Sequence, residues 1–251
     1  MFECVNAGSV ADMTELRELL FGDVPIEDWA GSSPEPPWIH FQDAEHAMAR
    51  ADVPAAEAAL RAVLDTPDLE SRQYLQAWSC LRQLDRDAPT GRPERLFGVV
   101  LDVPLEQGWD TLAAYDDHTA RYLNHGGGVI VWDVRDPAMD ALIDALLDTA
   151  RPLLATVGAW ESARPALTAE HARISMLTAE GHHFTEGAID TIADGAGTAP
   201  IFAAGAVLSR HSSTARRAAR ATPRTWQGDN DWPVNRGDFA PGAPERALPV
   251  P

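Results

Sequence analysis

Phe97-Gly98-Val99-Val100-Leu101-Asp102-Val103-Pro104-Leu105 is the stretch on which the fold turns. Phe97, Val99, Leu101, Val103 and Leu105 point to one side of an extended chain, and Gly98, Val100, Asp102 and Pro104 to the other. Successive side chains of extended backbone project to opposite faces, so a period of two marks a strand. Pro104 has no ladder donor and belongs at the strand end or on an edge. Gln107-Gly108 then supplies a turn, and Trp109–Tyr115 reads as a second strand. Asp116-Asp117-His118 turns into Thr119–Asn124, and His125-Gly126-Gly127 turns into Gly128–Trp132. Strands joined by two to five turn residues pair as antiparallel hairpins.

The meander leads directly into a helix. Asp136 is placed as its N-cap and Pro137 in its first turn. Met139, Leu142, Ile143, Leu146, Leu147, Ala150, Leu153, Leu154 and Val157 form a broad apolar stripe, with a kink expected at Pro152 and an end at Gly158. So wide a stripe requires a sheet face to bury it. Ala172–Thr178 and His182–Thr185 read as a second hairpin, and Ala188–Ala193 and Pro200–Arg210 as helices.

Upstream, Ala11–Phe21 reads as a short helix stopped by Gly22, and Ser32–Pro37 as a proline-rich linker. Asp43–Leu84 is helical in pattern. Ala55, Ala56, Ala59, Leu60, Val63 and Leu64 share one face, Thr66-Pro67-Asp68 breaks the chain, and Leu75, Trp78 and Leu81 follow at helical spacing. This pair reads as a helical cap on the sheet. One unit of a helical array is the alternative, disfavoured because such arrays need about three repeats. The expected fold class is therefore α+β: an antiparallel meander sheet of about six strands covered by amphipathic helices and preceded by a small helical segment. The expected regions are 1–90 (helical segment with linker and helical hairpin), 91–211 (sheet domain) and 212–251 (a disordered tail carrying proline and arginine).

Charge narrows the function. The chain of 251 residues has 38 acidic side chains against 20 basic ones, and every basic one is arginine. The missing lysine reads as codon bias in a GC-rich bacterial genome. Residues 1–211 hold 34 acids and 14 arginines, a net of −20, whereas residues 212–251 hold 4 acids and 6 arginines. Such a body repels phosphate backbones, which argues against nucleic acid and for a basic protein partner. Two cysteines, Cys4 and Cys80, make no disulfide framework. The first basic residue is Arg17, unlike the start of a signal peptide, and the apolar run Ala199–Leu208 is about half a membrane span. The expectation is a cytoplasmic protein with no membrane segment.

Several residue groups are candidates for chemistry. His125-Gly126-Gly127-Gly128 resembles the oxyanion string of one esterase branch, yet the chain has no Gly-x-Ser-x-Gly. Its glycines enter a strand and read as a turn needing positive φ. His118, His125 and His182 (or His183), with Glu186 or Glu180, could bind zinc, manganese or iron should their turns converge. Asp140, Asp144 and Asp148 recur every four residues along the helix, where like charges are mildly unfavourable, so a docking row for a cationic partner is the sharper reading. Arg216, Arg217 and Arg220 form a cluster suited to carboxylates or phosphates. Cys80 reads as a buried small residue, and Trp226 and Trp232 as aromatics of a docking segment.

No catalytic motif stands out. The leading expectation is a non-enzymatic protein-binding or adaptor protein with an acidic surface and no cofactor. The alternatives are a metal-dependent hydrolase using the turn histidines with zinc or another divalent metal, and an immunity- or chaperone-like partner that neutralises a basic protein.

Overall fold

A computed structural model describes residues 10–86, 95–160, 162 and 164–220, with residues 10–12 and 212–220 described by backbone alone. The strands are β1 (Gly98–Leu105), β2 (Gly108–Tyr115), β3 (Ala120–Leu123), β4 (Val129–Trp132), β5 (His171–Thr178) and β6 (Gly181–Ala188). They form one antiparallel sheet in the order β4-β3-β2-β1-β5-β6. The first four strands are consecutive hairpins, as the turn residues dictate. The second hairpin joins the free edge of β1, so the chain recrosses the sheet between β4 and β5.

That crossing is made by α6 (Pro137–Leu154). Asp136 caps it, accepting from Ala138 N at 2.8 Å and Met139 N at 3.3 Å. Pro152 lies in the final turn, and the helix stops at Leu154, short of Gly158. Met139, Ile143, Leu146 and Leu147 meet Val99, Leu101, Leu112, Ile174 and Met176 in the main core. The helices α7 (Ile189–Asp194) and α8 (Ala199–Arg220) complete this layer. Gly205 lets α8 approach closely, since a Cβ there would lie 2.3 Å from Leu101 Cδ1. α8 runs nine residues into the segment expected to be a tail, whereas Trp226 and Trp232 lie outside the described residues.

The opposite face is covered too. Preceding the sheet are α1 (Val10–Glu18), α2 (Ile26–Trp29), α3 (Trp38–Ala49), α4 (Val53–Leu64) and α5 (Ser71–Gln83). α5 packs in two directions. Leu75, with Leu20 and Phe21, meets Val100, Ala113, Leu123 and Leu177. Ala77, Trp78, Cys80 and Leu81 meet Phe41, Leu60 and Val63 in a separate helical core. The helical pair is thus a cap on the sheet. Polar contacts fix its seat: Ser71 N donates to Asp117 Oδ2 at 2.7 Å, Tyr115 OH to Leu20 O at 2.7 Å, and Gln76 Nε2 to Val24 O at 2.8 Å. Among the described residues, no helix is long and apolar enough to cross a membrane.

Gly22 is the tightest point of this seat. Its φ is +62°, and a Cβ would stand 2.7 Å from Arg72 O and 2.9 Å from Leu75 Cβ. Left-handed strain and backbone overlap therefore add. Gly22→Ala is expected to cost about 2–4 kcal/mol, read as a lower urea midpoint; an unchanged midpoint would contradict the close approach.

Candidate binding cleft

The sheet face beneath α1 carries charge where a core face ordinarily carries none. Register places Thr111, Asp102, Arg173 and Glu186 side by side across β2, β1, β5 and β6. Asp102 and Arg173 are fully buried. Buried charges persist only when paired, and both are. Arg17 of α1 grips Asp102 with two bonds, Nε to Oδ1 at 2.8 Å and Nη2 to Oδ2 at 2.6 Å, and Thr111 Oγ1 donates to Oδ1 at 2.7 Å. Burial opposes the Arg17 cation, but the Asp102 carboxylate overcomes this and holds its proton more tightly than usual. Arg173 bonds Glu186 Oε2 through Nε at 2.8 Å and also through Nη2. It donates further to Pro165 O at 2.7 Å and Ala166 O at 2.9 Å. Burial alone would raise the Glu186 pKa, yet bonds from Thr168 and Arg173 hold it below the usual carboxylate range.

Beside this row opens a cleft of about 1120 Å³ between the α1–α2 segment, α5 and the β5–β6 hairpin. Arg164, from the segment joining α6 to β5, lies against its wall. Its guanidinium carbon is 3.6 Å from the Phe21 ring centroid, Nη1 donates to Asp23 Oδ2 at 2.5 Å, and Nη2 bonds Glu18. The ring of His182 lies 5.4 Å from that of Phe21 and 5.3 Å from that of Phe184, and Trp160 stands 5.0 Å from Phe184. Trp160 N donates to His182 O at 2.7 Å, which ties the connecting segment to β6.

His182 is the unusual member. It is only 8% exposed, and among the described residues neither Nδ1 nor Nε2 has a hydrogen-bond partner. Burial, reinforced by Arg164, Arg173, His183 and Arg17, drives its pKa down to about 3, so the ring is neutral at physiological pH. A neutral imidazole has one N–H and one bare acceptor nitrogen. The rim is acidic, with Glu15, Asp28 and Glu180 exposed around the opening.

The metal candidates do not meet. His118, in the β2–β3 turn, contacts Asp144 Oδ1 of α6 at 3.0 Å. His125, in the β3–β4 turn at the other end of β3, contacts Asp110 Oδ1 at 2.9 Å. His182 packs on Phe21 on the opposite side of the sheet from α6, and Glu186 belongs to Arg173. Strands stack about 4.8 Å apart, so an order that puts β6 and β4 at opposite edges keeps these turns apart. Among the described residues, no three His, Cys, Asp or Glu side chains are grouped to hold a metal ion. His183 points away from His182, its Nδ1 against Val157 O at 2.8 Å; alternation along β6 permits only one of the two in the cleft.

The acidic row on α6 has partners within the chain. Asp140 pairs with Arg135 at 2.8 Å, Asp144 with His118, and Asp148 with Arg151. Asp144 and Asp148 stay largely exposed, and exposed pairs of this kind are worth little. Arg216, Arg217 and Arg220 fall in the last turns of α8, where the backbone alone is described. Cys80 is buried, and burial pushes its thiol up to about 11, the state of an inert core residue.

Sequence reading missed Phe21, Asp23, Trp160 and Arg164 as cleft residues. Gly22, singled out as a helix stop, was the nearest signal to Phe21 and Asp23; nothing local marks Arg164. Comparisons with protein-family models, with curated proteins and with solved structures returned no match.

Proposed function

We propose that this chain is a non-enzymatic binding protein that receives a cationic segment of a protein partner in the cleft between α1–α2 and the β5–β6 hairpin. The observation that carries the reading is the union of an acidic rim with a buried, unpartnered His182 on the cleft wall. Among the described residues, five carboxylates and two guanidiniums line the cleft, a net negative set even after Arg164 is paired with Asp23 and Glu18. The exposed Trp160 adds apolar surface suited to a folded partner's exposed segment. A ring with a pKa near 3 is poorly matched to proton transfer at neutral pH, which favours recognition over catalysis. A basic protein masked by this acidic surface, as an immunity or chaperone partner would mask it, is one form of the same reading.

Calorimetric titration of the full chain with a short arginine-rich peptide tests it. The peptide is expected to bind in a salt-sensitive way, with no binding by its glutamate-rich counterpart. Replacing the rim by Glu15→Gln, Asp28→Asn and Glu180→Gln together is expected to weaken binding about tenfold, at roughly 0.3–0.5 kcal/mol per exposed charge. Equal affinity for the triple variant and the native chain overturns the placement.

A further inference from the structure

We infer that the cleft wall recognises a guanidinium, so that the partner is read through an inserted arginine side chain; this rests on the cationic-partner reading above. Among the described residues, two groups on that wall lack a donor. Asp23 Oδ1 is buried without a hydrogen-bond partner, although Oδ2 of the same carboxylate holds Arg164. His182, more than nine-tenths buried, has both ring nitrogens unpartnered, and one of them is a bare acceptor. Buried acceptors left unpaired are costly, and the natural remedy is a ligand that brings several N–H groups at once. A guanidinium carries five in one plane.

The wall already shows how it treats that group. Arg164 places its central carbon 3.6 Å from the Phe21 ring centroid while bonding Asp23 and Glu18. Aromatic face plus carboxylate edge is the environment a planar, weakly hydrated cation favours over a compact, strongly hydrated ammonium. Trp160, 46% exposed at the mouth and 5.0 Å from Phe184, offers a second aromatic face. The cations near His182 are each paired, Arg164 with Asp23 and Glu18, Arg17 with Asp102 and Arg173 with Glu186, and Glu15, Asp28 and Glu180 add negative charge at the rim. An incoming guanidinium donates to Asp23 Oδ1 and His182 and stacks toward Trp160.

Three capped tripeptides differing only at the centre, Gly-Arg-Gly, Gly-Lys-Gly and Gly-citrulline-Gly, are titrated into the full chain by calorimetry at pH 7.5. The arginine probe is expected to bind at least tenfold tighter than the other two. Equal binding of arginine and lysine overturns the guanidinium inference and leaves the cationic cleft standing. Equal binding of citrulline, or no binding by any probe, overturns both. His182→Phe keeps the ring's volume and is expected to weaken the arginine probe about tenfold while changing the lysine probe less than threefold. Asp23→Asn, with Asn Oδ1 still able to accept from Arg164, provides a second variant and is expected to give a similar loss. Native affinity for the arginine probe in both variants, each shown folded by its melting curve, overturns the assigned contacts.

Discussion

Arg173→Met is expected to lower the unfolding free energy by about 3–5 kcal/mol, the cost of stripping one partner from a buried ion pair. Arg173 is fully buried and satisfies three groups at once: Glu186, Pro165 O and Ala166 O. Methionine fills much of its length and offers none of those bonds. The loss leaves two backbone carbonyls without their donor and Glu186 without its cation. Removing that charge in turn, with Glu186→Gln added to Arg173→Met, is expected to recover part of the loss, so the two substitutions are less than additive. Urea unfolding at pH 7 measures both. A shift below about 1 kcal/mol for Arg173→Met would mean that solvent reaches the row and that its charges are only surface charges.

The consequence extends from stability to function. Arg173 holds the carbonyls that immediately follow Arg164, and Arg17 holds α1 onto Asp102. The two walls of the cleft are thus pinned by one charged row running across four strands. A sheet face of valine and leucine would bury these elements equally well, but it would not fix their position along the strands. Directional bonds do, and the cleft needs that precision because Phe21, Arg164 and His182 come from three separate segments.

This is also why the fold was largely legible in the sequence and the cleft was not. Alternation at 99–105, the two-residue turns and Asp136-Pro137 act within a few residues, and strands, helix and cap stand where that chemistry puts them; Phe97 is the exception, since it precedes β1 and packs with Val100 and Tyr115 on the face opposite Val99 and Leu101. The glycine turn was legible for the same reason. Asn124 Oδ1 accepts from Gly126 N at 3.0 Å and Gly128 N at 2.8 Å, and Gly127 has φ +83°, all of it local. Asp102 is different. Its partner Arg17 is 85 residues away, and a strand aspartate pointing off the apolar face reads as solvent-exposed until α1 is known to cover it. Arg164 and Asp23 are 141 residues apart and meet only because β5 pairs with β1 instead of β4. Strand order across a long connection has no local sequence signal, so a site assembled by it has none either. The Asp140–Asp144–Asp148 row is the converse case. Its spacing was visible, but the partner of Asp144, His118, comes from a turn 26 residues earlier.

His182 yields the second large effect, and it appears as a slope against pH. The folded ring titrates at about 3 because it is buried and lies near Arg164, Arg173, His183 and Arg17, whereas the unfolded ring titrates near 6.5. Below pH 6.5 the unfolded chain therefore binds a proton that the folded chain refuses. The stability contribution of this group is whole above pH 6.5 and falls as the pH drops toward 3, by about 1.4 kcal/mol per pH unit. His182→Phe retains an aromatic ring between Phe21 and Phe184 and removes the titration, while the surrounding arginines, His183 and carboxylates stay in place. The native chain is expected to lose about 2 kcal/mol more than the variant between pH 7.5 and pH 5. The variant is also expected to be the more stable of the two at pH 5, since phenylalanine carries no unpartnered nitrogen into the site. Unfolding by urea at half-unit intervals from pH 7.5 to 4.5 reads the difference between the curves, in which the carboxylates common to both chains cancel. Parallel curves would place the ring in water in both states. Diverging curves would identify His182 as a base kept neutral by its surroundings, which is what a hydrogen-bond acceptor on the wall of an acidic cleft requires.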